Sequence, residues 1–211
     1  MNYSQIGAAI GSAKAGGAWE FKPLRLTNTG KDTATVEFFD NYGAGTALKI
    51  RQTDNGEWQA WQNFATITLQ PGEFIEICGD NSARTTMLGN FELTGESVAA
   101  SGSIMSLVYG ENMKRKQEAI LTFGAFGYYD EEDNRTNGMF SGCTGLTAAP
   151  ELPATSLAAY CYSGMFNGCT GLTAAPELPA TSLAADCYSY MFYGCTGLTA
   201  APELPATSLA T

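Results

Sequence analysis

The residues of this sequence with the greatest potential for chemistry are its cysteines, most of which recur at a fixed spacing. Cys161 and Cys169 lie eight positions apart, as do Cys187 and Cys195, and Cys143 precedes both pairs. A zinc site needs closely spaced thiolates, and a catalytic cysteine usually needs a histidine. The chain has no histidine and no Cys-x-x-Cys pair. We therefore predict buried, reduced thiols that act as small hydrophobic residues, with a disulfide or a metal site as the alternatives.

The second candidate for chemistry is the acidic run from Asp130 to Asp133, which Asn134 follows. Its oxygen atoms would suit Ca²⁺, but it lacks the alternating spacing and the glycine of an EF-hand loop. We interpret it as a solvated loop. Because no distinctive pair of carboxylates and no phosphate-binding glycine pattern occurs, we predict no catalytic residue, no cofactor and no metal. A glycan hydrolase that uses carboxylates alone remains the enzymatic alternative.

The charge of the chain restricts its partners. The 211 residues carry a formal net charge of −10, and no lysine or arginine follows Arg135. A chain this acidic repels phosphate backbones, so we expect no nucleic-acid partner. Residues 1–10 lack a basic segment and a sustained apolar segment, so no signal peptide is predicted. No stretch is long and apolar enough to suggest a membrane span.

The elements that position the cysteines are internal repeats. A segment that begins at Met139 returns almost unchanged from Met165 and from Met191, a period of 26 residues. This period is typical of leucine-rich repeats, which stack into a solenoid. We predict a short strand at 146–149, ended by two prolines, and a helical or irregular return at 156–166. The inward-facing column is predicted to contain Leu146, Leu172 and Leu198.

The repeat pattern weakens before Met139 but does not stop. Ile120, Phe126 and Gly138 each precede an equivalent residue of the first clear copy by 26 positions. We therefore predict that residues 119–138 form a degenerate repeat that caps the stack, because an uncapped end exposes apolar surface. Thr211 falls within a repeat, so we expect the native chain to continue or to dock against a partner.

The first half of the chain has the alternation of β-strands. Apolar and polar residues alternate in several short runs that are separated by turn residues, which favours a small antiparallel sandwich. The predicted strands lie at 19–21, 24–26, 36–38, 48–52, 66–69, 74–77 and 87–88, with one helical turn at 103–109. The predicted fold class is mainly β: a small antiparallel β-sandwich followed by a leucine-rich-type solenoid of 26-residue repeats. The predicted parts are a docking arm at 1–17, a β-sandwich-like domain at 18–110, a junction with the capping repeat at 111–138, and the repeats at 139–211.

The few positions that differ between copies predict an exposed surface. Core positions resist changes in volume and polarity, so residues that vary between otherwise identical copies should face solvent. Neutral drift after a recent duplication would explain the same differences. Together with two neighbouring tyrosines, these positions give a tyrosine-rich candidate surface for partner binding. Its predicted residues are Tyr160, Tyr162, Asn167, Asp186, Tyr188, Tyr190 and Tyr193.

The repeat unit is similar to that of a known family. The run from Met139 to Leu146, the Ala-Pro-Glu-Leu-Pro-Ala-Thr segment at 149–155 and the Cys-Tyr pair at 161–162 resemble the BspA-like leucine-rich repeats. These repeats occur in surface proteins of gut Bacteroidales and in bacteriophages that infect them. The resemblance covers residues 139–211. Residues 48–109 resemble, more weakly, the β-rich domain that often precedes such repeats.

This resemblance implies a binding protein. Near-identical units suit a spacer or a multivalent surface better than a catalytic cleft. The expected function is that of a non-enzymatic virion fibre, tail or head-decoration protein of a bacteriophage, located in the virion, that attaches to the host surface. The alternative is a bacterial cell-surface adhesin. In both cases we expect the arm to bind virion or cell-surface proteins and the repeats to bind a host glycan or protein. Both a single chain and a homo-oligomer are compatible with this arrangement.

Overall fold

The computed structural model of the protein describes residues 21–40, 47–112, 124–130 and 135–209. Within these residues the protein is mainly β, as the alternation and the repeats predict. The docking arm at 1–17, most of the acidic run and part of the predicted capping repeat lie outside the described residues. The same holds for Trp19, the first residue of the first predicted strand.

The secondary structure consists of short strands and one helical turn. The strands are β1 (Leu24–Asn28), β2 (Ala34–Phe39), β3 (Leu48–Arg51), β4 (Gln59–Ala60), β5 (Ile67–Leu69), β6 (Phe74–Gly79), β7 (Asn90–Thr94), β8 (Val98–Ser101), β9 (Gly127–Asp130), β10 (Arg135–Gly138), β11 (Leu146–Ala148), β12 (Ser182–Leu183) and β13 (Ser208–Leu209). The helix α1 (Ser106–Tyr109) lies within the predicted helical turn, and a 3₁₀ turn follows it at Gly110–Asn112.

The N-terminal strands form two sheets. One sheet has the order β11-β8-β1-β6-β3-β4, and the other has the order β5-β2-β7. All pairs are antiparallel except that of β11 with β8, which is parallel. Alternation decides which side chains enter the core: Leu24 and Leu26 of β1 are fully buried, whereas Arg25 between them is partly exposed. The alternation of apolar and polar residues in β1 therefore matches the alternation of buried and partly exposed side chains.

Two details of the predicted strands are wrong. Met87 and Leu88 were predicted as a strand, but they lie in a loop, and the Leu88 N–H donates to the carbonyl of Ala125 at 3.1 Å. The short strand β4 and the strands β7 and β8 were not predicted among the strands of the N-terminal domain. The strands β7 and β8 lie in the region from 89 to 102. The region mixes apolar runs with glycines at 89, 95 and 102, all at positive φ, and these interrupt the alternation that would identify strands.

The repeats stack through backbone hydrogen bonds between equivalent turns. The N–H of Phe140 donates to the carbonyl of Met165 at 2.9 Å, and the N–H of Phe166 donates to that of Met191 at 3.0 Å. The Phe140 and Phe166 rings stack at 5.8 Å between centroids with 9° between their planes, and Phe166 stacks on Phe192 with the same values. Copies with the same sequence thus repeat the same contacts.

The predicted strand of the repeat is confirmed only in the first copy, where β11 covers Leu146–Ala148. The equivalent residues that begin at Leu172 and Leu198 are not strands. The difference follows from the neighbour, because β11 pairs with the regular strand β8, whereas the later copies face another repeat. The predicted column is fully buried at Leu146 and Leu172, and Leu198 is only partly buried.

Of the two predicted forms of the return segment at 156–166, the irregular one is confirmed: the segment lies in turns from Ala159 onwards and is not helical. Tyr160 and Gly164 both have positive φ, at 56° and 61°, and left-handed residues at this spacing cannot continue a right-handed helix. The buried residues of the segment match the prediction for Cys161, Met165 and Phe166, and Leu157 is partly buried. The turn geometry therefore replaces a helix without changing which side chains face the core.

The degenerate repeat is interrupted by a hairpin. Phe126 stacks on Tyr162 at 5.6 Å between ring centroids, and the Phe126 N–H donates to the carbonyl of Cys161 at 2.8 Å. Phe126 is thus equivalent to Tyr162, and the predicted equivalence with Leu152 is wrong. The register of Gly138 with Gly164 is as predicted, because a Cβ on Gly138 would lie 2.0 Å from the Gly164 carbonyl oxygen. Residues 128–137 are inserted between these two points, and β9 and β10 pair within the insertion.

The first layer of the stack belongs to the N-terminal domain. The Phe91 N–H donates to the carbonyl of Met139 at 2.7 Å. The Phe91 ring stacks on that of Phe140 with 5.2 Å between centroids, in the same way as the Phe140 ring stacks on that of Phe166. Phe91 also contacts Phe38 and Trp61 in the core between the strands. The stack therefore begins at β7 and β8, whereas the sequence placed the capping unit at 119–138. We number four layers accordingly: 88–104 as layer 1, 124–127 with 138–157 as layer 2, 158–183 as layer 3 and 184–209 as layer 4.

Candidate partner-binding surface

The cysteines form ladders inside the stack, as the sequence predicts. All six are free and buried. The Cys143 Sγ donates to the carbonyl of Phe91 at 3.3 Å, the Cys169 Sγ to that of Phe140 at 3.0 Å and the Cys195 Sγ to that of Phe166 at 2.9 Å. Each thiol of this ladder therefore joins its own layer to the one before it.

Burial also removes the reactivity of these thiols. It raises the pKa of Cys78 and of Cys143 to about 12, and it raises the pKa of Cys161 and Cys169 as well, since a thiolate is poorly solvated in the core. The thiolate is the nucleophile and the metal ligand, so a thiol held protonated can serve as neither. Among the described residues, no three His, Cys, Asp or Glu side chains come together as a metal site would require.

Two residues of the predicted surface lie inside the protein. Tyr162 is fully buried, and its ring is stacked between Phe126 and Tyr188 at 5.6 and 6.0 Å. Tyr188 is partly buried, and its hydroxyl group is buried. The prediction that these two tyrosines face solvent is therefore wrong. This position is tyrosine in layers 3 and 4 and phenylalanine in layer 2, which is typical of an aromatic column inside a stack.

The varied positions of layer 4 are exposed. The exposed fraction is 53% for Tyr190 and 68% for Tyr193, and the two rings meet edge to face with centroids 6.1 Å apart. Asp186 is also exposed. The structure thus brings two predicted tyrosines together as an exposed aromatic pair. Aromatic side chains with a polar group are enriched where proteins bind partners.

The varied positions of layer 3 are less accessible. Tyr160 and Asn167 are both partly buried, and Gly164 is buried. The prediction of solvent exposure therefore holds best at layer 4. We define the tyrosine patch as Asp186, Tyr190 and Tyr193.

Two residues of the tyrosine patch have left-handed backbone. Asp186 has φ 50° and Tyr190 has φ 54°, where the equivalent residues of layer 3 are Tyr160 at 56° and Gly164 at 61°. A bulky residue at positive φ is uncommon and costs on the order of 1–2 kcal/mol. Tyr190 stands where the preceding layer has the glycine that suits this backbone. Stability does not explain the tyrosine, and such outliers are concentrated at functional positions.

The large sheet carries a charged cluster that the sequence analysis does not predict. Glu76, which is buried, pairs with Arg25 on β1 at 2.6 Å and with Arg51 on β3 at 2.6 Å. The Arg25 guanidinium lies 3.9 Å from the centre of the Phe74 ring, and that of Arg51 lies 4.5 Å from the Trp58 ring. The sequence places these three charged residues at polar positions of strands in which polar and apolar residues alternate. It does not show the cross-strand register that makes them neighbours.

The cluster is a structural support with little free capacity for a ligand. Both carboxylate oxygens of Glu76 accept hydrogen bonds from arginine, and Arg25 also pairs with Asp54. A buried carboxylate needs such partners, because an uncompensated buried charge is costly. The tyrosine patch therefore remains the better candidate for binding.

In the part of the chain that the structure describes, no helix is long and apolar enough to cross a membrane. No family model, curated protein or solved structure matches the chain. The candidate surface therefore rests on the sequence and on the geometry described above.

Proposed function

We propose that this chain is a non-enzymatic binding protein whose repeats carry a recognition surface. The observation that carries the proposal is the position of the differences between copies. Two of the substituted residues in layer 4, Tyr190 and Tyr193, form an exposed aromatic pair, while the stacking residues of the same layer are unchanged. A layer whose substituted residues are exposed while its stacking residues are kept is suited to presenting side chains to a partner.

The architecture that we propose is a β-sandwich followed by a leucine-rich-type solenoid. Two sheets enclose one apolar core, and the layer-to-layer hydrogen bonds continue from β7 into the repeats. Both features support this assignment. A rigid connection between the two parts would hold the tyrosine patch at a fixed distance from the N-terminal domain, which suits a protein that presents one end to a target.

The biological setting that we propose is a bacteriophage virion, as a fibre, tail or head-decoration protein that binds the host surface. Its support is the resemblance of residues 139–211 to BspA-like repeats. In this setting the arm at 1–17 contacts the particle and the repeats contact a host glycan or protein. A bacterial surface adhesin is the second candidate, and the same resemblance favours it.

The test uses the repeats as their own controls. Replacing the tyrosine patch with the residues of layer 3, as D186Y, Y190G and Y193N together, should preserve the fold, because the same backbone already carries these residues at Tyr160, Gly164 and Asn167. Binding to Bacteroidales cells or to an array of their surface glycans should fall at least about tenfold, since aromatic residues dominate binding energies.

A matched control is F64N, which removes an aromatic residue of 57% exposure and φ 63° from the N-terminal domain. Asparagine tolerates this backbone, so the fold should persist. We expect F64N to bind as the unaltered protein does. Equal binding by the triple variant, measured with a normal melting curve, would exclude the tyrosine patch as the recognition surface.

A further inference from the structure

The small sheet β5-β2-β7 has one side against the core and one side that points away from it. Val36 and Phe38 of β2 point to the core and are buried. Glu37 and Phe39 alternate with them on the opposite side and are partly buried. The register of β2 with β7 places Glu37 directly opposite Glu92, which is exposed. We define the outer face as Glu37, Phe39 and Glu92.

Glu37 and Glu92 place two like charges side by side. Directly opposite side chains of an antiparallel pair have Cβ atoms about 4.5–5.5 Å apart, and like charges in these positions are destabilising. The Thr66 hydroxyl donates to Oε1 of Glu37 at 2.6 Å, but a neutral hydroxyl does not remove the repulsion. Among the described residues, no lysine or arginine forms an ion pair with either glutamate. A cation bound between them would therefore lower the electrostatic energy of the outer face.

The large sheet shows how this chain compensates a glutamate in such a position. Glu76 lies opposite Arg25 in the register of β6 with β1, and the two side chains pair at 2.6 Å. Arg25 also pairs with Asp54, and its guanidinium lies 3.9 Å from the centre of the Phe74 ring. Phe74 is two residues from Glu76 and therefore on the same side of β6. One arginine thus contacts two carboxylates and one aromatic ring.

The outer face has the same groups without the arginine. Phe39 is two residues from Glu37 on the same side of β2, which is the spacing of the ring and the carboxylate on β6. The position opposite the carboxylate holds Glu92, where the large sheet has its arginine. The Phe39 ring meets that of Phe64 edge to face, with 5.4 Å between centroids, and remains partly exposed. The outer face therefore offers two carboxylates and an accessible ring.

We propose that the outer face binds an arginine side chain of a partner protein. The guanidinium would lie between the carboxylates of Glu37 and Glu92 and beside the Phe39 ring, as the guanidinium of Arg25 lies between two carboxylates and a ring. Arginine suits these groups better than lysine, because its planar fork pairs with carboxylates and also stacks on aromatic rings. The net charge of −10 also favours the approach of a basic partner. The outer face shares no residue with the tyrosine patch, so it adds a second surface to the proposed function.

Other occupants suit the outer face less well. Two copies of the chain related by a two-fold axis would bring the glutamates of one copy against those of the other. A neutral sugar would stack on Phe39 but would leave the repulsion between the carboxylates in place. A calcium ion takes about six to eight oxygen ligands, whereas an aromatic ring borders this surface. A guanidinium satisfies both the charges and the ring.

The test is an NMR titration of the isotope-labelled full chain with the peptide acetyl-Gly-Arg-Gly-amide. The backbone amides of Glu37, Phe39 and Glu92 should shift, with a dissociation constant on the order of 1–10 mM, as expected for one bound side chain. The same peptide with citrulline in place of arginine should leave these amides unshifted, because citrulline keeps the shape of the side chain and lacks its charge. A lysine peptide should bind more weakly than the arginine peptide.

Three variants connect the binding to the outer face. E92Q removes one carboxylate and should weaken peptide binding by roughly tenfold, since a hydrogen bond to a charged group is lost. E92R places a guanidinium opposite Glu37, as the large sheet does, so it should raise the urea midpoint of the free protein and abolish peptide binding. E96Q is the matched control: it alters an exposed glutamate after β7, changes the net charge as E92Q does, and should leave the dissociation constant unchanged.

Several outcomes would overturn the proposal. Unchanged peptide binding by E92R, or by E92Q if E92R does not fold, would show that the arginine binds elsewhere. Equal shifts with the citrulline peptide would show that the charge is not recognised. Shifts of the same amides with maltotriose or with calcium chloride, and not with the arginine peptide, would identify a sugar or a metal ion as the occupant. Shifts that appear with rising protein concentration alone would identify a second copy of the chain.

Discussion

Removing the hydroxyl of Tyr162 should stabilise the protein. A buried tyrosine normally has a hydrogen-bond partner, and its replacement by phenylalanine then lowers stability. Tyr162 is fully buried, and its hydroxyl has no partner among the described residues. The column itself shows that phenylalanine fits, because Phe126 occupies the equivalent position of layer 2 and stacks on Tyr162 at 5.6 Å.

The expected size follows from the cost of an unsatisfied polar group. Burying a hydroxyl without a hydrogen bond costs about 1–3 kcal/mol in proteins, and Y162F removes that cost while it keeps the ring. We therefore expect the free energy of unfolding to rise by about 1–2 kcal/mol. For a chain of this size, each kcal/mol raises Tm by roughly 2–4 °C. S163A removes the other unsatisfied hydroxyl of this turn, so it should leave the free energy of unfolding unchanged or raise it.

The assay is urea unfolding followed by circular dichroism, with thermal unfolding as a second measurement. Y193F is the matched control, because Tyr193 is 68% exposed and its hydroxyl can stay in water. Its stability should change by less than about 0.5 kcal/mol. A loss of more than about 0.5 kcal/mol for Y162F would refute the reasoning, since it would show that the hydroxyl is satisfied in the native protein.

Four further predictions follow from the layers. L172D places an unpaired carboxylate at a fully buried position and should abolish cooperative unfolding, whereas L204D, at a position 56% exposed, should leave the urea transition nearly unchanged. G127A should destabilise by about 1–3 kcal/mol in the same assay, because its Cβ would lie 1.7 Å from the Ser163 carbonyl oxygen. Y190G should raise stability by up to about 1 kcal/mol, since it removes a bulky residue at φ 54°. The buried thiols should resist maleimide at neutral pH. The free energy of unfolding should fall as pH rises above about 8.5, because the thiols of the unfolded chain lose their protons above that pH. In the folded protein Cys143 keeps its proton up to about pH 12. A urea midpoint that stays constant between about pH 8.5 and pH 12 would contradict this pH dependence.

The sequence determined the unit of the stack. The 26-residue period places identical side chains in identical positions, so an apolar residue at Leu146 or Met165 had to recur as a column. The same regularity predicted buried cysteines, because a small residue repeated among apolar neighbours faces the core. Strand alternation likewise predicted which residues of β1 and β2 are buried. These properties follow from the repeat period and from the alternation of apolar and polar residues, and both can be read from one sequence without its tertiary structure.

Only the tertiary structure decided how the stack begins and which copies are covered. No period in the sequence marks Phe91 as the first ring of the phenylalanine column, because its role depends on β7 lying against layer 2. The hairpin at 128–137 shifts the register of Phe126 and hides its equivalence to Tyr162 from a fixed-period alignment. Leu178 and Leu204 stand in identical local sequence, yet one is 4% exposed and the other 56%. Burial is a property of what lies beside a residue, and in a stack of identical units the neighbour differs only at the ends.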